Sequence, residues 1–196
     1  IDFIIERYQH IAHKFIIGTG YHSDLLISYI SGRYKNITLF SVENPDNLIN
    51  NCYSSLYCLD NADSRFGTII TFCDLIMLDN LTVEDDSIYY VSDNTKGLPG
   101  TFRHSITFNS DKSFNFISNS IPKQRSNGLL GTFVLSDTPL FKSILYSNYS
   151  NLLDLTDDGI IPYSFVKNIN AKECSSVYEF GTEDDLTKVR EMWKNA

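Results

Sequence analysis

The stretch FGTIITFCDLIMLDN, Phe66 to Asn80, decides the fold of this chain. From Thr68 onward its residues are apolar or β-branched without alternation, which is typical of a strand buried on both faces of a mostly parallel sheet. The run predicts a strand that ends on Asp74. A carboxylate at the carboxyl end of such a strand faces the crevice in which open α/β sheets bind their ligands.

Asp74 has two interpretations at this place. A single carboxylate there is a natural ligand for a hard cation such as Mg²⁺ that also holds phosphates. The alternative is an aspartate that caps the following turn. The strand alone leaves both interpretations open.

Composition excludes several classes of protein. The 196 residues are enough for one domain with a substantial core, and a hydrophobic content of 42% is that of a globular chain. The net charge of −8 argues against nucleic acid as a partner, whereas a metal and a few local cations still allow a nucleotide to bind. No apolar run reaches the length of a membrane span, and no signal peptide is evident.

The cysteines indicate a reducing compartment. Cys52, Cys58, Cys73 and Cys174 form no C-x-x-C pair, and Cys73 lies in the predicted buried strand. This pattern favours reduced thiols over a disulfide frame or a zinc site. We therefore expect a cytoplasmic protein.

The chain opens with the spacing of a helix. Ile1, Ile4, Ile5, Tyr8 and Ile11 fall on one face of a helical projection. A domain rarely opens inside a helix with no element before it, and residue 1 is Ile, not Met. We therefore expect further residues to precede Ile1.

Strand and helix alternate through the first half of the chain. KFIIGTGY (14–21) and NITLFSVENP (36–45) are predicted strands, and HSDLLISYISGRY (22–34) between them is a predicted helix. Such alternation predicts parallel strands joined by right-handed crossovers. We expect both strands to flank a central strand that ends at Asp74.

The second half changes to short strands separated by turn residues. DSIYYVSD (86–93), GTFRHSITFN (100–109) and KSFNFISN (112–119) predict antiparallel hairpins, with Asn109 to Asp111 as one turn. NGLLGTFVLSD (127–137) is a further predicted strand. TPLFKSILYSNY (138–149) is a predicted helix with Thr138 as its cap. A last strand, CSSVYEF, and a last helix, TEDDLTKVREMWKN, complete the chain.

Several of these segments, in this order, resemble the sugar-1-phosphate and choline-phosphate nucleotidyltransferases. KFIIGTGY looks like the strand before that family's GY turn, and VENPDNLINNCYSSLYCL resembles its N-P…N-N-x-x-S-L segment. TIITFCDL stands where the family has a strand ending in Gly-Asp. SNGLLGTFVLSDTPLF and VYEFGTEDDL resemble the later S-N…G-x-Y-x-F strand and the terminal D-I-G-T-x-E-D-L signature.

The resemblance implies both a fold and an activity. The fold would be a three-layer α/β/α sandwich with a mixed, mainly parallel central sheet, formed by residues 1–196 as a single domain. The activity would be transfer of a nucleotidyl group from an NTP to a sugar phosphate or small phospho-alcohol, with release of pyrophosphate. The N-N-x-x-S-L likeness favours CTP and the synthesis of capsule or other surface polysaccharide precursors. A homo-oligomer is possible.

The resemblance also assigns candidate site residues. Asp74 and Glu179 would be the catalytic carboxylates that converge on one Mg²⁺. The nucleotide would meet Gly20 in the GY turn and Asn50, Asn51 and Ser54, whose polar groups open a short helix. Plain helix capping is the alternative for that polar group. Lys123 is a candidate for the substrate phosphate, although an exposed loop cation is the simpler interpretation.

The chain departs from the family pattern at several places. The amino-terminal strand and the G-x-G-T/S-R loop with its Lys-Pro, which hold the nucleotide phosphates, are not among residues 1–196. Cys73 stands in place of Gly, and Glu179 and Phe180 stand in place of Asp and Ile. These departures support an alternative function as a catalytically inactive nucleotide-binding or regulatory subunit. A GT-A-type glycosyltransferase is a further alternative, but its usual Asp-x-Asp is replaced by Cys73-Asp74-Leu75.

Overall fold

The structure is a computed structural model. It describes residues 1–19, 23–34, 37–41, 58–71, 74–97, 101–124, 127–147, 169–179 and 183–193. The chain forms two compact units. The first comprises Ile1–Arg7, Ile69–Leu135 and Asn168–Ala196, and the second comprises Tyr8–Thr68 and Ser136–Lys167.

Helices and strands alternate at first, and strands then dominate the middle of the chain. The described helices are α1 (Asp2–Tyr8), α2 (Ser23–Arg33), α3 (Thr138–Ser147) and α4 (Glu183–Trp193). The described strands are β1 (Phe15–Thr19), β2 (Ile37–Ser41), β3 (Thr68–Ile70), β4 (Leu75–Met77), β5 (Ser87–Val91), β6 (Lys96–Gly97), β7 (Thr101–Phe108), β8 (Phe114–Gln124), β9 (Gly128–Leu135), β10 (Asn170–Glu173) and β11 (Ser176–Glu179).

The core of the first unit lies around β9. All residues of this strand, GLLGTFVL, are buried, which suits a sequence that is apolar apart from Thr132. β9 belongs to a six-stranded sheet of order β10-β5-β9-β7-β8, and β3 also pairs with β9. Phe133 and Leu130 are each 1% exposed. The strand therefore supplies the central layer of apolar side chains in this unit.

A second, three-stranded sheet of the first unit has the order β4-β11-β6. β11 pairs antiparallel with β4 and parallel with β6. The three residues of β4 are all buried, which matches their sequence, Leu-Ile-Met. This sheet positions the candidate site.

The second unit contains a parallel pair of strands with a helix between them in sequence. β1 and β2 run parallel in the register Phe15↔Ile37 to Thr19↔Ser41. α2 connects them and buries Ile30 completely. The β-α-β arrangement predicted for residues 14–45 is confirmed for its described part.

The opening helix is also confirmed, with a shorter apolar face than predicted. Ile4, Ile5 and Tyr8 are buried, but Ile11 is 42% exposed because the helix ends at Tyr8. A hydrogen bond from the Ala12 N–H to the Tyr8 carbonyl closes this end.

The stretch from Phe66 to Asn80 folds differently from the prediction. β3 ends at Ile70, and Asp74 lies exposed in a turn immediately before β4. The apolar run is therefore divided between two sheets, because continuous apolarity requires burial but not a single strand. Among the described residues, β3 pairs with β9 and forms no ladder with β1 or β2, so the predicted central position between those strands is not found there.

The predicted hairpin in the second half is confirmed. β7 and β8 pair antiparallel from Phe108↔Phe114 outward. The Asn109 N–H donates to the Ser113 carbonyl at 2.8 Å, and Lys112 adopts a φ of 68° that closes the turn. The turn residues Asn109 to Asp111 were predicted because Asn and Asp favour such conformations.

The cap of α3 is one residue earlier than predicted. The Leu140 N–H donates to Asp137 Oδ1 at 2.8 Å, so Asp137 is the N-cap and Thr138 the first helical residue. The Thr138 hydroxyl instead donates to the Phe66 carbonyl at 3.0 Å and lies 2.7 Å from Thr68 Oγ1. Thr138 is almost fully buried, so its hydroxyl is used for tertiary hydrogen bonds.

The predicted α/β class with mixed sheets is confirmed. Parallel ladders join β1 to β2, β5 to β10 and β6 to β11. Antiparallel ladders join β4 to β11, β5 to β9, β7 to β8 and β7 to β9. The described strands thus contain a larger antiparallel share than predicted, because the hairpin strands β7 and β8 belong to the same sheet as β5 and β9.

Candidate active site

The ladder between β4 and β11 brings the two candidate metal ligands close together along the backbone. Its register is Val177↔Met77, Tyr178↔Ile76 and Glu179↔Leu75. Asp74 directly precedes Leu75, so Asp74 and Glu179 stand at neighbouring positions at one end of this ladder. Directly opposite residues of an antiparallel pair have Cα atoms about 4.5–5.5 Å apart. Two positions more than a hundred residues apart in sequence thus lie one place off register at one end of this ladder.

The chemistry of this pair fits a hard divalent cation. Asp74 is exposed in its turn, and carboxylate oxygens are the ligands that Mg²⁺ prefers. The Glu179 side chain lies outside the described part of the structure, so the convergence of the two carboxylates stays a prediction. Within the described part, no group of three or more His, Cys, Asp or Glu side chains is placed to hold a metal.

Asp79 joins the two strands of this ladder at its other end. Its carboxylate accepts hydrogen bonds from the Ser175 N–H, at 3.1 Å to each oxygen, and from the Ser176 N–H at 3.4 Å. The Cys174 thiol donates to Asp79 Oδ2 at 2.9 Å. We call this set, Asp79 with residues 174–176, the Asp79 clamp.

The electrostatics of the clamp suit an ionised carboxylate and a neutral thiol. Partial burial raises the pKa of Asp79, but hydrogen bonds from Cys174, Ser175 and Ser176 outweigh burial and leave this pKa below its ordinary value. Burial, together with the neighbouring Asp79, strongly raises the pKa of Cys174. Cys174 therefore keeps its proton and acts as the donor.

This lowered pKa predicts a pH-dependent contribution to stability. The Asp79 carboxylate stabilises the fold above its unfolded pKa of about 3.9, and its contribution is lost as the pH falls through the lower folded pKa. We expect Asp79→Asn to lower the free energy of unfolding at about pH 6, and the difference from wild type to shrink towards about pH 3. Urea unfolding at several pH values measures this. Asp85→Asn, at an exposed aspartate outside the clamp, is the control, and an unchanged difference across this range would contradict the assignment.

The segment before β11 is held from its other side as well. The buried Thr95 hydroxyl donates to the Cys174 carbonyl at 2.7 Å, and the Lys96 N–H donates to the Ser175 carbonyl at 2.9 Å. Gly97 has a φ of 128°, and a Cβ on it would lie 1.7 Å from the Val177 carbonyl oxygen. Only glycine therefore allows β6 to approach β11 this closely.

Arg7 anchors the end of β4. Its guanidinium donates to the carbonyls of Met77 at 3.2 Å, Leu78 at 2.7 Å and Asp79 at 2.9 Å. These three carbonyls follow one another where the strand ends, so one planar side chain replaces the ladder bonds that the backbone no longer makes. Arg7 thus fixes the segment that carries Asp79.

The other predicted site residues are not brought to this place by the described structure. Gly20, Asn50, Asn51 and Ser54 lie outside the described residues. Lys123 lies on β8, where its backbone pairs with Phe102 in the six-stranded sheet, and its side chain is not described. It is a strand residue and not the loop cation that the sequence suggested. Nucleotide and phosphate contacts at these positions therefore stay predictions.

Sequence analysis missed Arg7 and the role of Asp79. The sequence favours a simple turn residue before Asn80 for Asp79, and it indicates no role for Arg7. Their partners lie 70 to 97 residues away, so no local spacing signals the contacts. The proximity of Asp79 to the predicted metal strand was the single available hint.

The second unit has a groove of its own beside α3. It has a volume of about 370 Å³ and is lined by Leu59, Ala62, Ser64, Thr138, Pro139, Lys142, Ser143 and Tyr146. At its edge, the two carboxylate oxygens of Asp60 accept hydrogen bonds from the Tyr146 hydroxyl at 2.8 and 2.7 Å. Asp60 also forms an ion pair with Lys142, with 2.5 Å between Oδ1 and Nζ. Burial raises the pKa of Asp60, but Lys142 and Tyr146 lower it by a larger amount. The charge of Lys142, which lines the groove, is thus balanced by Asp60.

No helix in the described residues is long and apolar enough to cross a membrane. No protein-family model matches the sequence, and no curated protein matches it. Solved structures do match, over nearly the whole chain.

Three of the similar solved structures, all of bacterial proteins, cover most of their own length as well. The CTP:phosphocholine cytidylyltransferase LicC from Streptococcus pneumoniae has a TM-score of 0.68 and 15% identity over 98% of this chain and 84% of that one. HddC from Yersinia pseudotuberculosis has a TM-score of 0.61 and 13% identity over 97% and 84%. The 4-diphosphocytidyl-2C-methyl-D-erythritol synthase from Anaerococcus prevotii has a TM-score of 0.61 and 11% identity over 98% and 85%. The resemblance inferred from the sequence is therefore confirmed at the level of the fold: this chain has the Rossmann-like α/β fold of nucleotidyltransferases.

Proposed function

We propose that this protein transfers a nucleotidyl group from an NTP, with CTP favoured, to a phosphorylated small molecule. The observation that carries the proposal is the β4–β11 ladder, which holds Asp74 and Glu179 at neighbouring positions within a nucleotidyltransferase fold. The acceptor would be a sugar phosphate or a phospho-alcohol used in capsule or other surface polysaccharide synthesis. The reaction would take place in the cytoplasm, where its nucleotide is available.

The chemistry needs no covalent intermediate. An oxygen of the acceptor phosphate attacks the α-phosphorus of the NTP, the bond from that phosphorus to the bridging oxygen breaks, and pyrophosphate leaves with the electron pair. Asp74 and Glu179 would hold Mg²⁺, which supplies positive charge that offsets the charge of the phosphates. The remaining work of the protein is to position both reactants.

The direct test is a pyrophosphate-release assay. The protein, expressed with any natural residues that precede Ile1, is incubated with Mg²⁺, each of the four NTPs and a panel of phosphorylated acceptors that includes phosphocholine and sugar 1-phosphates. Pyrophosphate formation that requires both an NTP and an acceptor supports the proposal. Binding of NTP without turnover for any acceptor would instead support the inactive nucleotide-binding subunit, which Cys73 and Glu179 favour as departures from the family pattern.

The base contact gives a separate prediction. If Asn51 contacts the base, Asn51→Ala should weaken binding of the preferred NTP by about 1–3 kcal/mol, because a polar group of the base loses its partner. The variant should also change the order of preference among CTP, UTP, GTP and ATP. Calorimetric titration with all four nucleotides measures both effects, with Asn61→Ala as a control. Equal weakening for every NTP would assign Asn51 to the phosphates or to helix capping.

A further inference from the structure

The ladder that carries Glu179 is short, whereas a metal site requires its ligands to be held at defined positions. β11 has four residues and β4 has three. A shift of one residue between paired strands moves every side chain to the opposite face. In the observed register Glu179 lies opposite Leu75, one position from Asp74, so any shift changes how Glu179 stands relative to Asp74. Contacts beyond this short ladder are therefore needed to fix the register.

The Asp79 clamp is placed to do this. Asp79 follows β4 by two residues, and it binds the N–H groups of Ser176, the first residue of β11, and of Ser175 directly before it. The Leu78 N–H also donates to the Ser176 carbonyl at 3.0 Å. From Ser176 to Glu179 the strand rises about 3.3 Å per residue, so a fixed start determines where Glu179 lies.

Arg7 fixes the backbone that carries Asp79, and the Asp79 carboxylate binds a particular set of donors from residues 174–176. Arg7 holds the carbonyls of Met77, Leu78 and Asp79 itself, so the carboxylate projects from a fixed backbone. Two consecutive N–H groups and one thiol converge on its two oxygens, and a slipped β11 would present a different set. The Asp79 side chain therefore recognises one register.

We propose that Asp79 is a positioning residue for the carboxylate pair: by fixing the register of β11 on β4, it keeps Glu179 beside Asp74. The inference rests on the proposed function for the role of that pair, whereas the register itself is a property of the fold. Removing the carboxylate should loosen β11 and weaken cation binding without touching either ligand.

The experiment compares Asp79→Asn with wild type and with the matched control Asp85→Asn. Hydrogen–deuterium exchange of the peptide that spans residues 174–182 reports how firmly β11 is held, and the electron paramagnetic resonance of Mn²⁺, used in place of Mg²⁺, reports cation affinity. Loss of a residue that orients metal ligands typically costs about 10–100-fold in metal affinity. We expect that loss in Asp79→Asn, together with faster exchange of the peptide, and neither change in Asp85→Asn.

A graded variant and a kinetic measurement complete the test. Asp79→Glu keeps the charge and the acceptor oxygens, so it should recover part of the Mn²⁺ affinity; it is compared with Asp85→Glu if Asp79→Asn does not fold. If turnover is measurable, kcat should fall and the Mg²⁺ concentration that gives half of the maximal rate should rise, whereas a smaller folded fraction would lower the apparent kcat alone. Unchanged Mn²⁺ affinity and unchanged exchange in folded Asp79 variants would overturn the inference.

The outcomes separate this inference from the proposed function. Faster exchange of residues 174–182 with no Mn²⁺ binding in wild type would retain the register role and refute the metal site. Mn²⁺ binding in wild type that is lost in Asp74→Ala but unchanged in Asp79→Asn would support the metal site and refute the positioning role.

Discussion

Asp74→Ala should abolish nucleotidyl transfer while leaving the fold intact. The side chain is exposed in the turn before β4, so its removal creates no cavity. If the carboxylate holds the cation that neutralises the phosphates, its loss costs several kcal/mol of transition-state stabilisation. About 4 kcal/mol corresponds to a fall of roughly 1,000-fold in kcat.

Mg²⁺-dependent pyrophosphate release is the measurement for this variant. Asp85→Ala, an equivalent truncation at another exposed aspartate of the same unit, is the control and should retain wild-type turnover. A melting temperature close to that of wild type shows that Asp74→Ala is folded. Undiminished turnover in Asp74→Ala would remove this residue from the mechanism.

Leu130→Ala should be among the most destabilising single substitutions in this protein. Leu130 is 1% exposed on β9, the strand that pairs with β3, β5 and β7. Deleting a buried leucine side chain costs its transfer free energy and leaves a cavity, for a total of about 2.7–5.0 kcal/mol. Because the total free energy of unfolding of a protein is only about 5–15 kcal/mol, this loss is a large fraction of it.

The same substitution on the surface is the matched control for Leu130. Leu25 on α2 is 70% exposed, so Leu25→Ala should change the free energy of unfolding by about 0.5 kcal/mol or less. Urea denaturation of both variants measures the difference. A loss below about 1 kcal/mol for Leu130→Ala would contradict the central position of β9 in the core.

Local pattern accounts for much of the fold. The segment NGLLGTFVLSD is predicted to be a strand and contains one, and its mainly apolar residues explain why both faces of β9 are covered. The turn at Asn109 to Asp111 is equally local, since its conformation depends on the residues within it. The nucleotidyltransferase fold was inferred from the order of several such segments and is confirmed by the solved structures.

Local sequence pattern predicts secondary structure less well where a segment is stabilised by contacts with residues distant in sequence. β10 has the polar sequence NAKE and no strand pattern, and it is a strand because the edge of β5 offers hydrogen bonds to its backbone. Asp137 and Thr138 are both good helix caps, and the choice between them follows from the tertiary hydrogen bonds of the Thr138 hydroxyl to Phe66 and Thr68.

In the candidate site, too, some features follow from the sequence and others only from the tertiary structure. The sequence by itself determined that the apolar run after Thr68 carries one carboxylate, Asp74, and that a second acidic residue, Glu179, lies in the last predicted strand, because side-chain type alone dictates these properties. Only the tertiary structure decided that the run is divided between β3 and β4, that β4 pairs with β11, and that Arg7 and Asp79 hold this pair. The physical reason is that register depends on hydrogen bonds between backbones far apart in sequence, and no spacing within either segment encodes which groups will meet.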